Sequence, residues 1–208
     1  MIRNYKELRF YILADMMMNR DKFKWSVKDR LKHLIAPDYI MLYLKSMRWC
    51  QFAADNPLKS ILVFIPIILF HKFRFRKLGI KLGFSIGCQC LGYGVVIPHY
   101  GTIVVGSSNT IGNFAVLHTS VCISGNGKKI GNALYLATGA KMTGTLEFGD
   151  NVSVGANSVV NKSFESNMLI GGQPARFIKS SDPWYIRDGE FYTNQVNRVE
   201  KLKQELKL

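Results

Sequence analysis

IGNALYLATGAKMTGTLEFGDNVSVGANSVV, residues 130–160, returns an apolar side chain at every sixth position: Ile130, Leu136, Met142, Phe148, Val154 and Val160. A small residue usually follows, as in Gly131, Ala137, Gly149 and Gly155. A helix repeats every 3.6 residues or so and a strand every second residue, and neither gives a beat of six. A chain that turns a corner every six residues, stacking the same side chain inward each time, does. The stretch predicts a coiled prism of short parallel strands.

The comb runs backward through Ile123, Leu117 and Ile111, then Ile103, Ile97 and Leu91. Three flat faces of six residues make a coil of eighteen, so residues eighteen apart are expected one strand spacing, roughly 4.8 Å, from each other. Two steps break the beat, one of eight from Ile103 to Ile111 and one of seven from Ile123 to Ile130. The surplus residues are expected to bulge out at corners as loops.

The rest of the chain is organised differently. Residues 1–80 carry Leu, Ile, Met and aromatic side chains at helical spacing, with breaks at Pro37 and Pro57, and predict an N-terminal region of three or four helices. Residues 81–180 hold the prism, rich in glycine where tight corners need positive φ. After Gly171-Gly172-Gln173-Pro174 the pattern stops. Residues 181–208 read as a C-terminal extension with a charged helix that places Val196, Val199, Leu202 and Leu206 on one side, to cap the open end or to pack on a neighbouring subunit. The fold class is mainly β, a parallel β-helix of hexapeptide repeats flanked by helices.

With 48% hydrophobic residues in 208 the chain can bury a real core. Cys50, Cys88, Cys90 and Cys122 fit neither a disulfide framework nor a two-pair zinc site, which points to a reduced, cytoplasmic setting, with Cys88 and Cys90 as wall residues of the first coil. The net charge of +14 is uneven: residues 1–80 hold sixteen Lys or Arg against six acids. Such an excess attracts polyanions, but no nucleic-acid-binding module is recognisable. The run Ile61 to Phe70 is half of the roughly 20 residues that cross a bilayer, and Pro66 interrupts it. The ordinary reading is a buried helix on the prism's open end. With His71 to Lys77 behind it, the run also suits peripheral contact with a membrane surface.

The four histidines are His33, His71, His99 and His118. His99 stands two places after the inward Ile97, and His118 directly follows Leu117. Leu117 stacks over Ile97, so His118 lies above Pro98 and diagonally beside His99. Two imidazoles on adjacent coils beside a loop are candidate catalytic residues. A catalytic zinc needs three protein ligands and only two are placed, so no metal is expected. Between Asp55 and Glu147 there is no Asp or Glu, so the acceptor orienting His99 must be a backbone carbonyl, another subunit's group, or an acid from the helical region such as Asp38 or Asp55.

His99-Tyr100-Gly101-Thr102-Ile103-Val104-Val105-Gly106, the six-residue repeats and Gly172-Gln173-Pro174-Ala175-Arg176 resemble the hexapeptide-repeat acyltransferases, most closely the serine acetyltransferase-like branch of polysaccharide gene clusters. The resemblance covers about residues 82–180. It implies a left-handed β-helix, a homotrimer, and acetyl-CoA as co-substrate. It implies that His99 is the general base, that His118 assists or shapes the pocket, and that a backbone N–H at a corner steadies the oxyanion. It also implies that the pantetheine arm passes Gly125, Ala137, Thr138 and Ala156 in a groove between subunits, and that Arg176, with Lys128, Lys129 or Lys179, meets the nucleotide phosphates.

Departures from serine acetyltransferases bear on the acceptor. Pro98 stands where they have an Asp before the catalytic His, Phe84-Ser85 replaces an upstream Asp, and only Ser124 to Lys129 separates Ile123 from Ile130 where they carry a longer Asp-Arg-His loop. The expected activity is O-acetyl transfer to a small-molecule or glycan hydroxyl, a sugar of a surface polysaccharide. The alternatives are serine itself, as in cysteine biosynthesis, and a non-catalytic scaffold.

Overall fold

A computed structural model of the protein describes residues 1–57, 65–125 and 127–208. Ile61 to Phe64 of the apolar run lie outside the described residues.

The prism is present, with three faces. The first stacks β1 (Phe84–Ile86), β2 (Ile103–Val105), β5 (Val121–Ile123), β8 (Lys141–Met142) and β11 (Val159–Val160), all parallel. The second stacks β3 (Thr110–Ile111), β6 (Lys129–Ile130) and β9 (Glu147–Phe148). The third stacks β4 (Val116–Leu117), β7 (Tyr135–Leu136), β10 (Val152–Val154) and β12 (Met168–Gly172), on which β13 (Ala175–Ser180) folds back antiparallel. All twelve comb side chains are buried in one core.

The register follows the arithmetic with one shift. Met142 pairs with Val160 and Leu136 with Val154, each eighteen residues on. Ile123 pairs with Met142 and Ile111 with Ile130, nineteen on, as the surplus residue between Ile123 and Ile130 requires. The eight-residue step, however, runs from Ile97 to Val105. Val105, not Ile103, joins the file of Ile86 and Ile123, and Ile103 pairs with Val121. Both ends of β2 point inward, so the sequence offered two apolar candidates two residues apart. The surplus residues therefore form the loop that carries His99.

Four helices precede the prism among the described residues: α1 (Tyr5–Arg20), α2 (Val27–Ile35), α3 (Tyr39–Asp55) and α4 (Ile65–Leu82). Asn4, Ser26 and Asp38 cap the first three, Ser26 in a reciprocal box with Asp29. Tyr43, Leu44, Met47, Leu78 and Leu82 of α3 and α4 close the prism's first coil against Phe84, Ile86 and Leu91. The earlier half of α4 departs from the reading as a buried helix on the prism. Ile68 packs instead with Ile2, Leu8 and Trp49 of the helical layer, and Ile65, Ile67, Leu69 and Phe70 are exposed.

A buried ion pair fastens the helices to the prism. Arg48 donates to both carboxylate oxygens of Asp15 at 2.7 and 3.0 Å, and to the carbonyls of Leu91 and Gly92 at 2.7 and 2.6 Å. Asp15 also accepts the Val95 N–H at 3.1 Å. Both side chains are fully buried. A charge out of water persists only when its hydrogen bonds are met in this way.

The C-terminal extension, expected on the open end or on a neighbour, covers the third face of its own prism. The short α5 (Trp184–Arg187) and α6 (Glu190–Glu205) join α1 there, burying Trp184, Val196 and Val199 with Val96, Phe114, Val116 and Ala133. The face has outward apolar residues at these positions, and the tail hides them.

Candidate functional site

One corner of the prism, where the third face turns into the first, gathers most of the candidate residues. On the first coil it is the loop 98–102, and Pro98, His99 and Tyr100 are exposed there. Gly101, at φ 142°, lets the loop lie on the second coil, where a Cβ would sit 3.2 Å from Thr119 Cγ2. Each later coil repeats the corner with a left-handed residue: Ser120 at φ 62°, Gly139 at 77° and Asn157 at 56°. Backbone bonds from Ser120 N to Thr102 O, Gly139 N to Thr119 O and Asn157 N to Thr138 O stack these corners in one file.

His118 opens the second corner, one coil above Pro98, since Val96 pairs with Val116. The half-buried imidazole places Nε2 3.0 Å from the Tyr135 hydroxyl, one coil further on. Burial pushes its pKa below the usual histidine value, the neighbouring charge of His99 pushes the same way, and Asp188 opposes them. The shift favours the neutral form of His118, in which one ring nitrogen donates and the other accepts.

The tail completes this corner. Trp184, fully buried with its indole N–H on the Phe114 carbonyl at 2.8 Å, anchors the turn that carries Arg187 and Asp188. The Arg187 guanidinium lies 4.8 Å above the Tyr135 ring, donates to Ser153 Oγ at 3.0 Å and to Asp188 at 2.8 Å. None of Tyr135, Ser153, Arg187 and Asp188 was expected. The coil arithmetic holds the signal for the first two, because Tyr135 pairs with Val116 and Ser153 with Tyr135. Nothing periodic links the tail to a coil.

The acids from the helical region do not reach His99. Asp38 pairs with Arg20 and caps α3, while Asp55 accepts the Ile2 N–H at 2.6 Å and the Gln89 amide at 3.1 Å, at another corner. The carboxylate that acts on the neighbouring His118 is that of Asp188, from the C-terminal extension.

Ala137, Thr138 and Ala156 follow His118 on the later coils of the same corner file, with Thr138 and Ala156 exposed. Arg176 is exposed at the foot of that file, opposite Gly171, and Lys179 is exposed opposite Leu169. Gly125 is not in the file. It stands at the corner between the first and second faces, against Gly106. Lys128 is fully buried, and its ammonium holds its own loop through the Ser124 carbonyl at 2.9 Å and the Gly125 carbonyl at 2.6 Å, so it is not available to a phosphate. Lys129 is exposed beside Glu147 at 3.3 Å.

The remaining polar candidates are structural. His33 sits edge-on to Trp25, and His71 is buried between Trp49 and Ser46. Burial pushes the Cys50 thiol up to about 12 and that of Cys90 to about 11, so neither is a thiolate nucleophile. Among the described residues no three His, Cys, Asp or Glu side chains are grouped to hold a metal. A cleft of about 860 Å³ between α4 and the first two coils is lined by Phe75, Arg76, Ser85 and Val104, and among the described residues no imidazole or carboxylate lines it.

No family model matches the chain. It is similar to the serine acetyltransferase of Synechococcus elongatus, 33% identical over 98 residues, which are 44% of this chain and 40% of that protein. The match to the serine acetyltransferase of Staphylococcus aureus is 33% over 96 residues, 43% of this chain and 45% of that one. The matched region thus spans less than half the length of these relatives. Among solved structures, a serine acetyltransferase in complex with CoA superposes with a TM-score of 0.62 at 20% identity, covering 84% of this chain and 71% of that one. The serine acetyltransferase of Brucella abortus gives 0.60 at 21%, covering 85% and 69%. The shared fold is the left-handed parallel β-helix with an N-terminal helical region and a C-terminal helix.

Proposed function

We propose that the chain is an acetyl-CoA-dependent O-acetyltransferase with His99 as general base. One observation carries this reading: an exposed imidazole on a bulged corner loop, with a second, half-buried imidazole on the next coil and a file of Ala137, Thr138 and Ala156 leading away along the prism. A hydroxyl is a weak nucleophile until a base near neutral pKa takes its proton. His99 takes it, the hydroxyl oxygen attacks the thioester carbon, the C–S bond breaks, and the proton passes to the departing thiolate. The small residues leave room for the pantetheine arm, and Arg176 at the foot of the file suits an anionic nucleotide end. The sequence relatives named serine acetyltransferases, and the fold shared with a CoA complex, support the same chemistry.

The acceptor we favour is a sugar hydroxyl of a surface polysaccharide, because Pro98 and the short 124–129 loop hold none of the Asp, Arg and His groups that stand there in serine acetyltransferases. Serine is the second reading, favoured by the names of the relatives. The scaffold reading has no observation in its favour. Gly125 lies at a different corner from Ala137, and in the homotrimer we propose the two would face one groove from different copies of the chain. The exposed apolar and basic residues of α2 and α4 suit peripheral contact with the inner face of a membrane, the chain otherwise being cytoplasmic.

The test is His99→Ala assayed for acetyl transfer from acetyl-CoA. A loss of about 100-fold or more is expected, the usual worth of a general base. An unchanged rate refutes the assignment.

A further inference from the structure

We propose that the turn carrying Arg187 and Asp188 is the acceptor-selecting wall of this site, and that it admits an uncharged polyhydroxyl acceptor, a sugar, in preference to an amino acid. The proposal rests on the acetyltransferase reading and adds to it residues of the C-terminal extension.

The charges of the wall are spent on each other. Arg187 gives Nε to Asp188 and Nη1 to Ser153, and its plane lies on Tyr135. With its single Nε–H given to Asp188, the guanidinium no longer offers its Nε/Nη2 side as a two-pronged fork for a free carboxylate. Asp188, held by that guanidinium, is likewise compensated and gives little to an ammonium group. Pro98, beside His99, contributes no charge and no N–H.

What the wall does present is neutral and two-sided in hydrogen bonding. The Tyr135 hydroxyl and the His118 imidazole each donate and accept, and they lie 3.0 Å apart. Sugar hydroxyls also donate and accept. Tyr100, next to His99 and 73% exposed, adds an aromatic surface suited to the C–H face of a sugar ring. Trp184 fixes the turn from beneath, so the wall is rigid rather than a loose tail. Arg187 and Asp188 are positioning residues, acting through Tyr135.

The groups facing His118 are His99 on the preceding coil, Tyr135 on the following one, and Asp188 beside Arg187 on the tail. Asp188→Asn breaks the pair without removing bulk from a core, and Tyr135→Phe removes only the hydroxyl. Circular dichroism checks that both variants fold.

The experiment measures coenzyme A binding by calorimetry, then acetyl transfer from acetyl-CoA to methyl glycosides of glucose, galactose and N-acetylglucosamine and to L-serine. The wild type is expected to acetylate a glycoside at least tenfold faster than L-serine. Asp188→Asn and Tyr135→Phe are each expected to raise the glycoside KM about tenfold, with the KM for acetyl-CoA and the Kd for coenzyme A unchanged. Three results overturn the proposal: L-serine as the better acceptor, no glycoside acetylated by an enzyme that binds coenzyme A, or an unchanged glycoside KM in both variants. Failure to bind coenzyme A at all overturns the acetyltransferase reading instead.

Discussion

Removing the Arg48 guanidinium leaves the Asp15 carboxylate without its counter-charge in a fully buried place, and leaves the Leu91 and Gly92 carbonyls short of a donor. Arg48→Ala is therefore expected to cost about 3–5 kcal/mol, read as a fall in urea midpoint; a shift under about 1 kcal/mol contradicts the account. His71 acts through pH. Burial depresses its pKa to about 4, with the charges of Lys45 and Arg74 adding to the effect. Below about 6.5 the unfolded imidazole takes a proton that the folded one refuses until about 4, so stability falls as pH drops through that window. The urea midpoint of the wild type is expected to fall more between pH 7 and 4.5 than that of His71→Gln; equal falls exclude His71 as the source.

Among the elements, the corners repeat one backbone device. Gly139 takes the left-handed position at φ 77°, with Asn157 packed against its α-carbon. Gly139→Val puts a β-branched side chain where none fits, and a loss of about 1–3 kcal/mol is expected on thermal melting; a variant as stable as the wild type shows that the corner can reshape. The beat of apolar side chains made the prism legible because parallel coils convert spacing in sequence into contact in space, residue for residue. The same arithmetic put His118 over Pro98. It misjudged the slip at Ile103, since Ile103 and Val105 are equally apolar and both inward. It was silent about Arg187 and Asp188, because a tail that crosses a face obliquely has no register to count. Burial of Lys128 was equally hidden, its reach to the Ser124 and Gly125 carbonyls depending on a loop shape that spacing does not encode.

The whole molecule covers one face of its prism with helices and leaves outward residues such as Thr110, Lys129 and Glu147 of the second face exposed. Sedimentation equilibrium is expected to give three times the chain mass of 23.6 kDa, and a monomer at micromolar concentration excludes the groove between copies. Among the described residues no helix is long and apolar enough to cross a membrane. Val27, Leu31, Leu34 and Ile35 of α2 and Phe70, Phe73 and Ile80 of α4 are exposed in a strongly basic region. Flotation with anionic vesicles, weakening as salt rises, is expected; no binding at low salt rejects that contact. The strand β13, running back along β12, has a separate effect. A stack of parallel rungs ends in a row of unpaired amides and carbonyls that invites a further rung from any chain. The reversed strand occupies that row on the third face with a polarity the next rung cannot continue, and so it acts as a stop against end-to-end growth into filaments.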